Sequence, residues 1–383
     1  MSGQPSHSSQ PLQSDQARID EDFMRQAIAL SQQGLGVTSP NPSVGAIVVR
    51  DGKIIGRGVT HKGGRPHAET EALRDAGAAA RGATLYVSLE PCSHHGLTPP
   101  CAEAIVAAGI ARVVSALDDP DARVAGRGHQ CLRDAGIALT TGIGAQQARH
   151  INLGHILRIT QGRPMVTLKL AETLDGYAAG DQHDGRLMIT GAASNEQVQI
   201  LRAQHDAIMI GIGTALADDP LLTVRAKGYE DRRPLRVVLD THLRLPTNAR
   251  LSVTAKDYPT LVIAGNAASH DKQKELEALG IRVERCATTD SAHLDLLQAL
   301  KLLGQRGHTR VLSEGGPQIA RALIAQHLAD DILIFTSAKP LGRAGLAALD
   351  AQSRQILQDP QRYVLRQSSQ IGTDQAKTYE RIV

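Results

Sequence analysis

The chain has 383 residues and a formal net charge of +3, with 42 Lys and Arg scattered among 39 Asp and Glu, so it shows no basic footprint for nucleic acid or a membrane surface. That length exceeds what one hydrophobic core supports, and with 2% aromatic residues and no Trp, two domains with cores of Ala, Val, Ile and Leu are expected. Four cysteines make no disulfide scaffold, the start MSGQPSHSSQPLQSDQ has no apolar signal core, and no window approaches 18 uncharged apolar residues, which predicts a cytoplasmic chain without a spanning helix.

Residues 1–17, rich in Ser, Gln and Pro, read as a disordered tail. Folded sequence is expected from Ile19, with DEDFMRQAIALSQQG as an amphipathic helix carrying Phe23, Ala27, Ile28 and Leu30 near one face and ending at Gly34. VGAIVV (44–49) and KIIGRGV (53–59) flank Asp51-Gly52, a hairpin turn pair. A helix from His67, a strand at 83–90, a helix at 102–109 and a strand at 111–117 follow. The domain junction is placed at 150–163, where GHILRITQGRP breaks at Gly-Arg-Pro. Beyond it, strands are expected at 165–171, 206–212, 235–240, 259–265, 281–286, 310–316 and 331–337. This alternation predicts parallel α/β layers in two distinct domains.

Two of the four cysteines, Cys92 and Cys101, bracket the loop SHHGLTPP. Thiolate and imidazole are the ligands zinc selects, and a catalytic zinc keeps three protein ligands, a number that His67, Cys92 and Cys101 supply. Water at the open position is acidified to a pKa of about 7. Glu69, two residues past His67, is placed to carry its proton. Histidine, glutamate two residues on, then Pro-Cys and a second Cys is a zinc deaminase signature, here with eight residues between the cysteines rather than two. The competing arrangement is a closed site with His94 or His95 as fourth ligand, which leaves Glu69 without a task. Cys131 and Cys286 have no partners at ligand spacing and are expected in the core.

In the second half, Glu314-Gly315-Gly316-Pro317 ahead of QIARALIAQHL reads as an anion site at a helix N-terminus, and GIGTALADD (211–219) adds a second glycine-rich turn. Neither fits the dinucleotide fingerprint GxGxxG.

From about residue 20 to the C-terminus, SPNPSVGAIVV, GGRPHAE, EPCSHHGLTPPC, DDPDARVAGRG, LKLAETLDG, ADDPLLTVR and SEGGP resemble, in order, the blocks of the bifunctional riboflavin-biosynthesis deaminase/reductase family. The resemblance implies an α/β chain with a cytidine-deaminase-like three-layer domain at 18–155, which removes the 2-amino group of a phosphoribosylated diaminopyrimidinone with zinc. It implies a dihydrofolate-reductase-like α/β domain at 163–383, which reduces the ribose to a ribityl chain with NADPH. Lys169, Asp218 and Glu314 are then catalytic, and Ala171, Met188, Thr214, Asp218, Gly316 and Pro317 touch the cofactor. Asn41 meets the pyrimidine in the first domain. Arg186, Arg202, Leu222, Arg225 and Glu314 meet substrate in the second, with Arg202 and Arg225 on the 5′-phosphate. The implied partners are the small-molecule substrate and further copies of the chain, as a dimer or tetramer.

The chain departs from the family where Leu97 replaces a common Lys or Arg, Thr60 a His, and Arg186 and Met188 a Ser and a Trp. Two other readings compete. One is a zinc deaminase of nucleosides or RNA bases with a noncatalytic second domain, though two Phe and six Tyr give little surface for base stacking. The other is a noncatalytic zinc-stapled interaction module.

Overall fold

The computed structural model describes residues 10–95, 99–122, 124–181 and 187–382. The chain divides into two compact units, Met1–Thr160 and Gln161–Val383.

The first unit begins with α1 (Gln10–Ser31), the strands β1 (Gly45–Arg50) and β2 (Lys53–Val59), and α2 (Ala68–Ala76). It continues through β3 (Thr84–Val87), α3 (Cys101–Ala107), β4 (Arg112–Ser115), α4 (Arg127–Asp134), β5 (Ala138–Thr141) and α5 (Ala145–Gln161). Residues 10–17, expected in the tail, are therefore helical. Once the downstream turns of α1 are anchored, each added residue gains a backbone bond without paying again for nucleation, and Gln16 donates to Asp20 at 3.0 Å.

The strands lie in the order β2-β1-β3-β4-β5, with β1 antiparallel to β2 and β3, and β3, β4 and β5 mutually parallel. The antiparallel β1–β2 pair is the hairpin expected at Asp51-Gly52, and the parallel pairing runs from β3 to β5. The β1–β2 hairpin closes through Asp51 (φ 51°) and Gly52 (φ 71°), and two consecutive left-handed residues match the twist of antiparallel strands. Alternate residues of β1 serve opposite layers. Ile47 and Val49 cluster with Met24, Ala27 and Ile28 of α1 and Ala148 of α5. Ala46 and Val48 cluster with Ala68 and Ala72 of α2, Ile105 of α3 and Leu132 of α4. Each buried Val, Leu, Ile or Met side chain among these contributes about 1.5–3 kcal/mol over exposure.

Helix α2 rests with its backbone on β2. A Cβ on Gly58 would lie 2.0 Å from the Ala68 carbonyl oxygen, and one on Gly56 2.3 Å from that of Ala72. This close approach fixes where α2 starts, and with it His67 and Glu69. Helix α5 occupies most of the range expected as a junction, and Gly162 (φ 71°) follows its last residue, in the left-handed conformation that commonly ends a helix.

The second unit opens with β6 (Met165–Glu172), β7 (Tyr177–Ala179), α6 (Ala192–Ala203), β8 (Ala207–Gly211), α7 (Ile212–Asp218) and β9 (Leu235–Leu239). Next come α8 (Arg250–Val253), β10 (Thr260–Gly265), α9 (His270–Ala278), β11 (Arg282–Cys286), α10 (Leu296–Gln305) and β12 (Arg310–Ser313). It closes with α11 (Pro317–Ala325), β13 (Asp331–Thr336), β14 (Leu346–Ala347), α12 (Ala351–Gln358), β15 (Tyr363–Ile371) and β16 (Asp374–Arg381).

Nine strands form one sheet in the order β11-β10-β9-β8-β12-β6-β13-β16-β15, parallel from β11 to β13 and antiparallel through the terminal hairpin. That hairpin has no counterpart in the sequence reading, because edge strand β15 exposes Val364 and Leu365 and shows no apolar alternation. One face of the sheet packs Leu168, Met209 and Val237 against Leu300, Leu323 and Leu357. The other packs Ile210, Val238 and Val262 against Ala215, Leu251 and Leu276.

Buried Asp330 accepts both prongs of Arg163, at 2.7 and 2.9 Å, and a bond from Arg381 at 2.8 Å, tying the starts of β6 and β13 to the end of β16. Cys286 is buried in the sheet core and Cys131 packs against that of the first unit. No helix among the described residues is long and apolar enough to cross a membrane.

Candidate active sites

In the first unit His67 caps the N-terminus of α2, which places Glu69 in the first turn, 3% exposed. Cys92 lies in the loop after β3 and Cys101 is the first residue of α3. The ligand atoms of His67, Cys92 and Cys101 all lie within 4.8 Å of one another. His67 Nδ1 stands 3.3 Å from Cys101 Sγ and 3.6 Å from Cys92 Sγ. Zn–S and Zn–N bonds of about 2.3 and 2.0–2.1 Å in tetrahedral geometry place N and S about 3.6 Å apart, so the triad fits a zinc ion. His95 pairs instead with Glu103 at 3.1 Å, and the three-ligand cluster among the described residues does not include His94.

Electrostatics reinforce the arrangement. The Cys101 thiol and backbone N–H both bond Cys92, at 3.3 Å for the N–H, and lower its thiol pKa, while the same shared proton and burial push Cys101 up. The bond to Cys92 also raises His67. Burial pushes the Glu69 carboxyl up to about 7, against the pull of His67. A carboxyl poised near neutrality can both take and give a proton.

His67, Glu69 and Cys92 line one pocket of about 230 Å³, together with Asn41, Thr60, Arg65, His94 and Arg158. Asn41 Nδ2 is tied to the Gly64 carbonyl at 2.9 Å, and Thr60 Oγ1 accepts the Val44 N–H at 3.0 Å. Leu97 lies outside the described residues.

Sequence reasoning misses two residues here. Glu90, next to Pro91-Cys92, is 3% exposed and accepts backbone N–H bonds from Asp119 (3.2 Å), Gly126 (2.9 Å) and His129 (3.1 Å). It also clusters with Asp118 and His129, but three backbone donors already occupy its carboxylate, which makes it a brace between the metal loop and the opposite wall. His155 on α5 stands 3.4 Å from Asp119. A carboxylate ending an apolar strand at position 90 is the one available sequence signal.

In the second unit Lys169, Arg202 and Arg225 come together around Glu314, just past the end of β12 and so at the usual ligand edge of a parallel sheet, while Asp218 is not among the groups that act on Glu314. Arg202 of α6 forms a two-pronged pair with Glu314, at 2.6 and 2.8 Å, and donates to the Thr223 carbonyl at 3.0 Å. Arg225 bonds Thr223 Oγ1 at 3.2 Å. Burial opposes the charge of Glu314, yet Arg202 and nearby Lys169 hold its carboxyl below the ordinary range. Burial likewise works against the Arg202 cation, which Glu314 restores and raises.

Gly316 caps α11 ahead of Pro317, and a Cβ there would come 3.2 Å from Thr214 Oγ1 on α7. Only a bare backbone leaves that space open, so the helix start offers its N–H groups to an anion, which fits a dinucleotide phosphate. Asp218 ends α7, and Leu222, buried, adopts a left-handed backbone (φ 51°). Ala171 follows Lys169 on β6, while Met188 is 70% exposed. Arg186 lies outside the described residues.

Two family models match the chain: the cytidine and deoxycytidylate deaminase zinc-binding region over residues 17–117, and the RibD C-terminal domain over residues 164–376. The riboflavin biosynthesis protein RibD of Aquifex aeolicus is 39% identical over 338 residues, covering 88% of this chain and 92% of the relative. RibD of Escherichia coli is 36% identical over 366 residues, covering 93% and 97%. Among solved structures, Acinetobacter baumannii RibD superposes with a TM-score of 0.82 at 36% identity, over 96% of this chain and 100% of that one. A Thermotoga maritima diaminohydroxyphosphoribosylaminopyrimidine deaminase/5-amino-6-(5-phosphoribosylamino)uracil reductase does so with a TM-score of 0.80 at 32% identity, over the same shares.

Proposed function

The chain belongs to the RibD family of riboflavin-biosynthesis enzymes, with a zinc-dependent deaminase and an NADPH-dependent reductase in one polypeptide, and from that premise we propose which residues carry the two reactions. The first substrate is 2,5-diamino-6-(5-phosphoribosylamino)pyrimidin-4-one and the second is its deaminated product. The convergence of His67, Cys92 and Cys101 beside buried Glu69 is the observation that carries the reading.

His67, Cys92 and Cys101 would hold the zinc, which when bound would acidify the attacking water. Glu69 takes a proton from the attacking water and hands it to the 2-amino group, so the water oxygen stays on C2 as the carbonyl while the C2–N bond breaks and the amine departs as ammonia. Asn41, fixed by Gly64, presents its amide to the pyrimidine edge. Thr60 and the braced 118–126 loop wall off the ring.

In the reductase, bound NADPH would supply the hydride that reduces C1′ of the opened ribose. The N-terminus of α11, with Gly316, Pro317 and Thr214 about it, receives the cofactor phosphate, and Ala171, Met188 and Asp218 flank the nicotinamide side. Lys169 gives the proton that balances the hydride, and Glu314, kept ionised by Arg202, orients the ribose hydroxyls. Arg202 has spent its fork on Glu314, so the 5′-phosphate falls chiefly to Arg225, with Leu222 and Arg186 completing the substrate contacts. A cytoplasmic location accords with four cysteines that are all free thiols, and assembly as a dimer or tetramer is part of the same proposal.

The test is a two-stage assay. Ammonia should appear from the diaminopyrimidinone phosphate without NADPH, and NADPH should be consumed only after that step. Consumption of NADPH with no prior ammonia release would overturn the order, and no ammonia at all would overturn the substrate.

A further inference from the structure

Resting on the deaminase reading above, we infer that Arg65 and Arg158 form the anion end of the first pocket and hold the substrate's 5′-phosphate. The substrate's far end is a phosphate dianion, and the loop from Cys92 to Cys101 holds no Lys or Arg of its own. Among the described residues lining the pocket with His67 and Cys92, Arg65 and Arg158 alone are Lys or Arg. Both are half-buried, and both line the pocket.

A continuous set of contacts places them on one wall. Arg158 donates to the Pro40 carbonyl at 3.2 Å, the next residue Asn41 donates to the Gly64 carbonyl at 2.9 Å, and Arg65 follows Gly64. Arg158 thus contacts the residue before Asn41, and Arg65 follows the Gly64 to which Asn41 is tied, so both adjoin the Asn41 segment in the pocket that His67 also lines. Arg65 is close enough that its charge bears on His67.

Besides Glu69, three acidic residues line the same pocket, and each is engaged within the protein. Glu90 accepts its three backbone bonds. Asp119 accepts the Asp121 N–H at 2.8 Å and faces His155 at 3.4 Å. Asp121 is the third, from the loop that Glu90 braces. A phosphate is thus steered to the Pro40–Asn41 wall, where planar guanidinium forks match its oxygens.

The experiment measures ammonia release by the full-length, zinc-loaded chain on two substrates: the diaminopyrimidinone ribosyl phosphate and the same compound without its phosphate. For Arg65→Leu and Arg158→Leu, KM for the phosphorylated substrate should rise about tenfold or more, as loss of a charge-assisted bond requires, with kcat little changed. KM for the dephosphorylated compound should stay at the wild-type value, and Arg→Lys variants should recover part of the loss. Inorganic phosphate should compete with substrate in the wild type and fail to do so in the double Leu variant.

Equal KM increases for both substrates would mean a structural role and overturn the inference, as would no increase at all. Unchanged zinc content and NADPH oxidation on supplied deaminated substrate show that the variants fold. Wild-type protein that releases no ammonia would sink the deaminase reading itself, whereas active wild type with indifferent arginine variants sinks only the phosphate site.

Discussion

Glu69→Gln is expected to lower ammonia release by about 10²- to 10⁴-fold, the range that a positioned general acid/base contributes. Glutamine keeps the volume and the hydrogen-bonding outline but has no proton to take or return. It also removes the cost of burying an ionisable carboxyl, which at this site is pushed up to about 7, so the fold should not weaken. Zinc content should match the wild type, because His67, Cys92 and Cys101 are untouched. NADPH oxidation on supplied deaminated substrate should likewise be unchanged. Ammonia release near the wild-type rate would remove Glu69 from the chemistry, and loss of zinc with it would make Glu69 a support of the metal rather than a proton carrier.

The second large effect belongs to Lys169→Ala, which should depress NADPH oxidation by about 10²-fold or more if the lysine supplies the balancing proton. Lys169 sits on β6 between β12 and β13, and its charge helps to keep Glu314 ionised. Alanine at that place removes the donor and leaves Glu314 chiefly with Arg202. Because Arg202 grips both carboxylate oxygens, the local structure should survive, and ammonia release should be spared. Full NADPH turnover by this variant at saturating substrate would contradict the role.

The two sites differ in how far their residues can be read along the chain. Ligand types carry their chemistry with them, so a histidine with a glutamate two residues on and two cysteines flanking a proline-stiffened loop state a metal centre before any coordinates exist. The β1–β2 hairpin is equally legible, because Asp51-Gly52 is a local backbone instruction. What stays hidden depends on distant partners. Glu90 looks like any loop carboxylate until the backbones of residues 119, 126 and 129 are brought to it. Arg202 and Glu314 are 112 residues apart, and neither hints at a shared two-pronged pair that redirects Arg202 from a phosphate to a carboxylate. Helical residues 10–17 and the polar edge strand β15 fail for another reason. Each is sustained by the element beside it and has no apolar period of its own.

Metal stoichiometry tests the central claim most directly. Elemental analysis of the wild-type chain should find a single zinc per polypeptide, and Cys101→Ser should lose both that zinc and ammonia release while NADPH oxidation on supplied product continues. A Cys101→Ser protein that keeps its full zinc and its deaminase rate would contradict the account.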